Sequence, residues 1–148
     1  MNFTLSTIAS SLAAYLAPSF PGVTFYEDPN QQGTATPCFF LQRRDAEIAP
    51  QLSDRYYRTI RLDLTYLVDY NLPDMQQQYS AAADQLDFLM ETFPYSDGTE
   101  TGLVRTYNRV WRIDLDALHY NFDLQVRVTA PTTPIPMESI QSLTQEAT

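Results

Sequence analysis

Between residues 59 and 70, apolar and polar side chains change places at almost every step. Ile60, Leu62, Leu64, Tyr66, Val68 and Tyr70 alternate with Thr59, Arg61, Asp63, Thr65 and Asp69, and only Leu67 breaks the pattern. The alternation returns late in the chain. There Leu118, Tyr120, Phe122, Leu124, Val126 and Val128 alternate with His119, Asn121, Asp123, Gln125, Arg127 and Thr129. A period of two means a β-strand with one face on a core and the other in water, because successive side chains of a strand point to opposite faces. Two such strands require a sheet that is covered on one face only, which is the habit of antiparallel sheets.

The cover is legible as two helices. Leu5, Ile8, Leu12, Tyr15 and Leu16 recur at helical spacing, so a first helix is expected over Thr4 to Ala17, ended by Pro18 and Pro21-Gly22. A second helix is expected after Asn71-Leu72-Pro73-Asp74. Its apolar stripe is Met75, Tyr79, Ala82, Leu86, Leu89, Met90 and Phe93, and Pro94 with Ser96-Asp97-Gly98 closes it.

The remaining strands are shorter signals. Val23 to Glu27 reads as one strand, and Cys38-Phe39-Phe40-Leu41 as the start of another, buried on both faces. The latter turns polar through Gln42-Arg43-Arg44-Asp45-Ala46-Glu47, so it and the strand after it are expected to project past the core as a hairpin arm. A strand over Leu103 to Ile113 joins the last strand through Asp114-Leu115-Asp116, a connection short enough for an antiparallel hairpin. The expected fold is α+β: a two-layer sandwich in the order α-β-β-β-α-β-β, its sheet mostly antiparallel, with two helices on one face. Residues 1–130 read as a single domain and 131–148 as a proline-rich tail. In the tail, Met137, Ile140 and Leu143 share one side of a final helical turn, and the segment either frays or docks on a neighbour.

Charge narrows the function. The chain has 148 residues with 18 acidic and 9 basic side chains, a net charge of −9, and every basic residue is arginine. An acidic chain without a basic run is poorly suited to gripping nucleic acid. No Lys or Arg precedes the apolar stretch at Leu12–Ala17, which argues against a cleaved signal peptide. No run approaches the ~18 apolar residues of a membrane span. Residues 71–100 carry six acids and no arginine, whereas residues 55–70 and 101–129 are each slightly basic. Asp84, Asp87 and Glu91 fall on one stripe of the second helix, opposite the core. They are expected to form a solvated face, or an acidic surface turned to a channel lumen or an arginine-bearing partner.

No catalytic constellation stands out. His119 is the single histidine and Cys38 the single cysteine, so no Cys/His metal spacing exists and no internal disulfide is possible. Cys38 lies in an apolar run and reads as a buried thiol. Asp114 and Asp116 read as turn formers, and four glycines leave little room for a phosphate-binding loop. No catalytic residue, metal or cofactor is expected. Arg43, Arg44, Arg55 and Arg58 gather near the arm, with Asp45, Glu47, Tyr56 and Tyr57. Arginine suits desolvated protein interfaces through planar, bidentate contacts, so these four are candidates for a subunit interface.

The order of parts resembles the tail terminator family of tailed bacteriophages and phage-like particles, particularly the small terminators of Gram-positive phages. The resemblance spans roughly residues 3–129. It rests on the N-terminal helix ending in Phe20-Pro21, the strand Val23 to Glu27 and the Gln32-Gly33 loop leading to Pro37-Cys38-Phe39-Phe40. Further along it rests on Arg58-Thr59-Ile60-Arg61-Leu62-Asp63-Leu64-Thr65-Tyr66, the helix with Leu86 and Leu89, and Leu118-His119-Tyr120. It implies a structural virion protein, assembled in the host cytoplasm and located in the tail and neck. Such a protein forms a six-fold ring on the tail tube, stops tube growth and faces the neck or head connector. Its implied partners are its own copies, the tube protein, the connector and, in contractile tails, the sheath protein. DNA only passes through the channel, and no membrane is involved. The competing readings are another neck or tail-completion protein and, from a different class, a small cytosolic ligand-binding domain or enzyme.

Overall fold

The computed structural model describes residues 3–26, 36–69, 73–114 and 117–129. Thr4 opens the first helix, α1 (Leu5–Leu16), with a reciprocal cap. Its hydroxyl accepts from the Thr7 amide while the Thr7 hydroxyl accepts from the Thr4 amide. These bonds satisfy amides that a helix start otherwise leaves unpaired. Ile8, Leu12 and Leu16 are buried and Leu5 and Tyr15 half-buried, as the helical spacing requires.

After α1 come β1 (Thr24–Tyr26), β2 (Cys38–Pro50), β3 (Arg55–Leu67), α2 (Met75–Leu89), β4 (Thr92–Ser96), β5 (Thr101–Asp114) and β6 (Ala117–Thr129). The strands form one sheet in the order β1-β2-β3-β6-β5-β4. Among the described residues only β1–β2 is a parallel pairing; the others are antiparallel. Cys38 to Leu41 are all buried, in keeping with a segment covered on both faces.

The long central pairing carries the alternation of the sequence into space. Ile60 sits opposite Leu124, Leu62 opposite Phe122, Leu64 opposite Tyr120 and Tyr66 opposite Leu118. These side chains join Phe39 and Leu41 of β2 and the buried stripes of both helices in a single core. The α+β class is therefore observed, and α1 and α2 contribute to the same core side of the sheet.

Two expectations change. The second helix ends at Leu89, and Phe93 lies on an unforeseen edge strand, β4. Phe93 and Tyr95 point inward on either side of exposed Pro94, so a proline that reads as a stop instead occupies an edge position, where a missing N–H does no harm. Side chains of α1 pin this strand. The Ser11 hydroxyl accepts from the Ser96 amide at 3.1 Å, and the Thr7 and Tyr95 hydroxyls lie 2.8 Å apart. The arm is also more than a hairpin. β6 accompanies β3 to its outer end, pairing Thr129 with Arg55, so the extension is three strands wide.

Candidate functional site

The outer half of β2, Gln42 to Pro50, is exposed along its whole length. Its turn to β3 runs through Ser53 at φ 69, closed by the Gln51 amide donating to the Arg55 carbonyl at 2.9 Å. Arg61 ties this region together, with Nη1 2.6 Å from Asp45 Oδ1 and 3.2 Å from Glu47 Oε1. Those hydrogen bonds and charges hold the Arg61 guanidinium above its ordinary pKa. The four candidate arginines are placed differently. Arg43 lies on β2 opposite Leu62, and Arg44 is the extra residue of a bulge between Arg43 and Asp45. Arg55 and Arg58 lie on β3, facing Thr129 and Val126 of β6. Among the described residues none of the ion pairs uses any of the four, so their charge remains available to a partner.

The sheet has two open edges on this part of the molecule. β1 reaches only Cys38 to Phe40, so from Leu41 to Pro50 the outer edge of β2 lacks a strand partner among the described residues. On the other side, β4 takes Thr101 to Arg105 of β5, and β6 takes the rest. The outer edge of β5 from Tyr107 to Asp114 is then also without a strand partner among the described residues. Such edges present rows of unpaired amides and carbonyls that template another strand. Bulges and charge temper both: Arg44 on β2, and the register break between Tyr107 and Val110 on β5.

The acidic stripe of α2 does not stay together. Asp84 is exposed, but Asp87 turns inward, and its Oδ1 accepts a 2.7 Å hydrogen bond from the hydroxyl of fully buried Tyr120. Burial, reinforced by that bond, raises the Tyr120 pKa well above its ordinary value. Glu91 lies beyond the helix, 3.6 Å from Arg105. Asp87 thus anchors the helix to the sheet instead of facing solvent, because a phenol buried beneath the helix needs an acceptor.

The polar face of the sheet is drier than alternation suggests. Asp63, Thr65, Asn121 and Asp123 are all buried. His119, which seems isolated in sequence, has its Nδ1 2.9 Å from Asp63 Oδ2 and 3.4 Å from the Thr65 hydroxyl. Thr65 in turn donates to Asp63 Oδ1 at 3.1 Å. Asn108, at φ 53 in the β5 bulge, donates to Asp123 Oδ2 at 2.9 Å. The cross-strand pairs Asp63↔Asn121 and Thr65↔His119 bring these groups together, which a single sequence does not reveal. A nucleophile–histidine–acid relay uses the two ring nitrogens separately, whereas here Thr65 and Asp63 meet the same one. Asp–His–Thr is accordingly a positioning cluster that ties β3 to β6. Cys38 is fully buried, and burial raises its thiol pKa. Among the described residues no three His, Cys, Asp or Glu side chains gather as a metal site, and no helix is long and apolar enough to cross a membrane.

A search of curated proteins finds no match. The family model described as phage tail terminator protein matches residues 7–136. It runs beyond the end of β6 to take in Pro131, Pro134 and Pro136. The proline-rich segment 131–148 itself lies outside the described residues, as do Glu27, the segment expected as the Gln32-Gly33 loop, Tyr70, and Leu115-Asp116 of the expected hairpin connection. A match over this much of the chain identifies it: the protein belongs to the phage tail terminator family and is a structural protein of the virion tail.

Proposed function

We propose that this chain closes into a six-fold ring that caps the tail tube, stops its polymerisation and presents a surface to the neck or head connector. The family match over residues 7–136 carries this reading. The two open edges support it. Counting across the sheet, β2 and β5 run in opposite directions, since β2–β3, β3–β6 and β6–β5 are each antiparallel. The β2 edge of one copy therefore meets the β5 edge of the next as an antiparallel neighbour when both copies stand the same way up. The edges also lie level, because Leu41 is in line with Leu64, Tyr120 and Trp111. Contacts between two different edges are heterologous, which is what a closed ring of one chain needs.

In such a ring the helices lie outside, and the polar face carrying Asp63, Asn121 and Asp123 turns to the channel. Buried, internally bonded Asp63 and Asp123 keep the middle of this face acidic, while exposed Arg112 and Arg127 lie toward its ends, so few cations meet the phosphates of passing DNA. Arg43, Arg44, Arg55 and Arg58 serve the junction between copies. Asp84 and Glu91 sit on the outer side, toward the tube, connector or sheath proteins. Electron microscopy of the purified protein, alone and mixed with tail tubes, tests the ring. Six-fold rings on tube ends support it, and a monomer that leaves tubes uncapped contradicts it.

A further inference from the structure

Where β5 turns from β6 to β4, the sheet splits. Beside the split lies a cleft of 280 Å³ between Leu103–Tyr107 and Gln125–Arg127, with Phe3 among its lining residues. Leu103 also lines a second, larger groove of 680 Å³ between α1 and β4, whose walls include Ala14, Tyr15, Pro18 and Pro94. The walls of this groove are mostly apolar, and Leu103 is 72% exposed between the two hollows. The path starts next to the end of β6, at Thr129, where the chain continues into residues 130–148.

That segment has the composition the groove asks for. Pro134-Ile135-Pro136-Met137 is apolar and proline-rich, and Ile140 and Leu143 follow. Proline-rich segments lie in grooves lined by aromatic side chains and proline because their extended form loses little entropy on docking. Even fully extended at ~3.1 Å per residue, the connection from Thr129 to Pro134 reaches no more than about 15 Å, so the segment must start close to the end of β6.

We propose that the groove between α1 and β4 is the docking site of the chain's own segment Pro134 to Leu143, laid in from the end of β6. The test places a photoreactive benzoylphenylalanine at Met137 of the full chain and maps its crosslinks by mass spectrometry. Crosslinks within one chain to Ser11–Pro18 or Pro94–Leu103, lost several-fold in Leu103→Asp, support the proposal. Crosslinks that join two copies, that fall elsewhere on the domain, or that persist unchanged in Leu103→Asp overturn it. Leu103 is exposed, so this variant leaves the core intact, and an unchanged far-UV spectrum checks that.

Discussion

His119 Nδ1 lies 2.9 Å from Asp63 Oδ2, on the diagonal between the register pairs Thr65↔His119 and Asp63↔Asn121 of the two central strands, on the face away from the helices. Asp63 also accepts from Thr65, so a single buried carboxylate satisfies two neighbours. Asp63→Ala takes the acceptor from both and leaves only the longer Thr65–His119 contact, and a buried polar group that loses its partner costs about 1–3 kcal/mol. Urea unfolding is expected to show a loss in this range, with a smaller loss for Asp63→Asn, which keeps an acceptor oxygen.

Tyr120 and Asp87 form the corresponding link on the core side, between β6 and α2. Tyr120→Phe removes only the hydroxyl, and a hydrogen bond to a charged group contributes about 1.5–3 kcal/mol. The double variant with Asp87→Ala is expected to be less destabilised than the sum of the singles, and a double-mutant cycle measures that coupling. Strict additivity would mean that the bond does not hold the helix.

Alkaline pH acts through Cys38. Burial raises its folded-state pKa above the ordinary 9.0. Above about pH 9 the unfolded thiol has lost its proton while the folded one keeps it, so stability falls as pH rises. Stability measured from pH 8 to 10 is expected to drop less steeply in Cys38→Ala than in the parent chain. The buried tyrosines add their own loss at higher pH, since Tyr66 and Tyr95 are also shifted upward by burial.

If Arg43 and Arg44 serve the junction between copies, reversing them separates assembly from folding. Both are exposed on the open edge of β2 and outside the ion pairs of the described residues. Reversing their charge with Arg43→Glu and Arg44→Glu should change stability by no more than about 0.5 kcal/mol, as is usual for surface positions. Ring formation in moderate salt should nevertheless weaken, as sedimentation would show. Rings that form unchanged would remove these arginines from the junction.

Much of this fold is legible in the sequence because its strongest signals are periodic. The alternation over Ile60–Val68 and Leu118–Val128 and the helical spacing over Leu5–Leu16 are properties of local segments that the tertiary fold did not override. β4 escaped notice for a physical reason. Phe93 falls three residues after Met90 and so continues the helical stripe, and Pro94 reads as a breaker. The inward pair Phe93 and Tyr95 around a proline was the available sign of an edge strand. The candidate site was less legible. Arginine type suggested an interface, but the bulge at Arg44, the inward turn of Asp87 and the meeting of His119 with Asp63 depend on strand register and helix rotation. Those are set by contacts between segments far apart in the chain.

The ring that ends a tube is tested most directly by tail length in particles assembled without this protein. Electron microscopy of lysates from a deletion of its gene should show tails of uncontrolled, often excessive length, with normal length restored when the chain is supplied in trans. Tails of normal, uniform length in the deletion would contradict the terminator role.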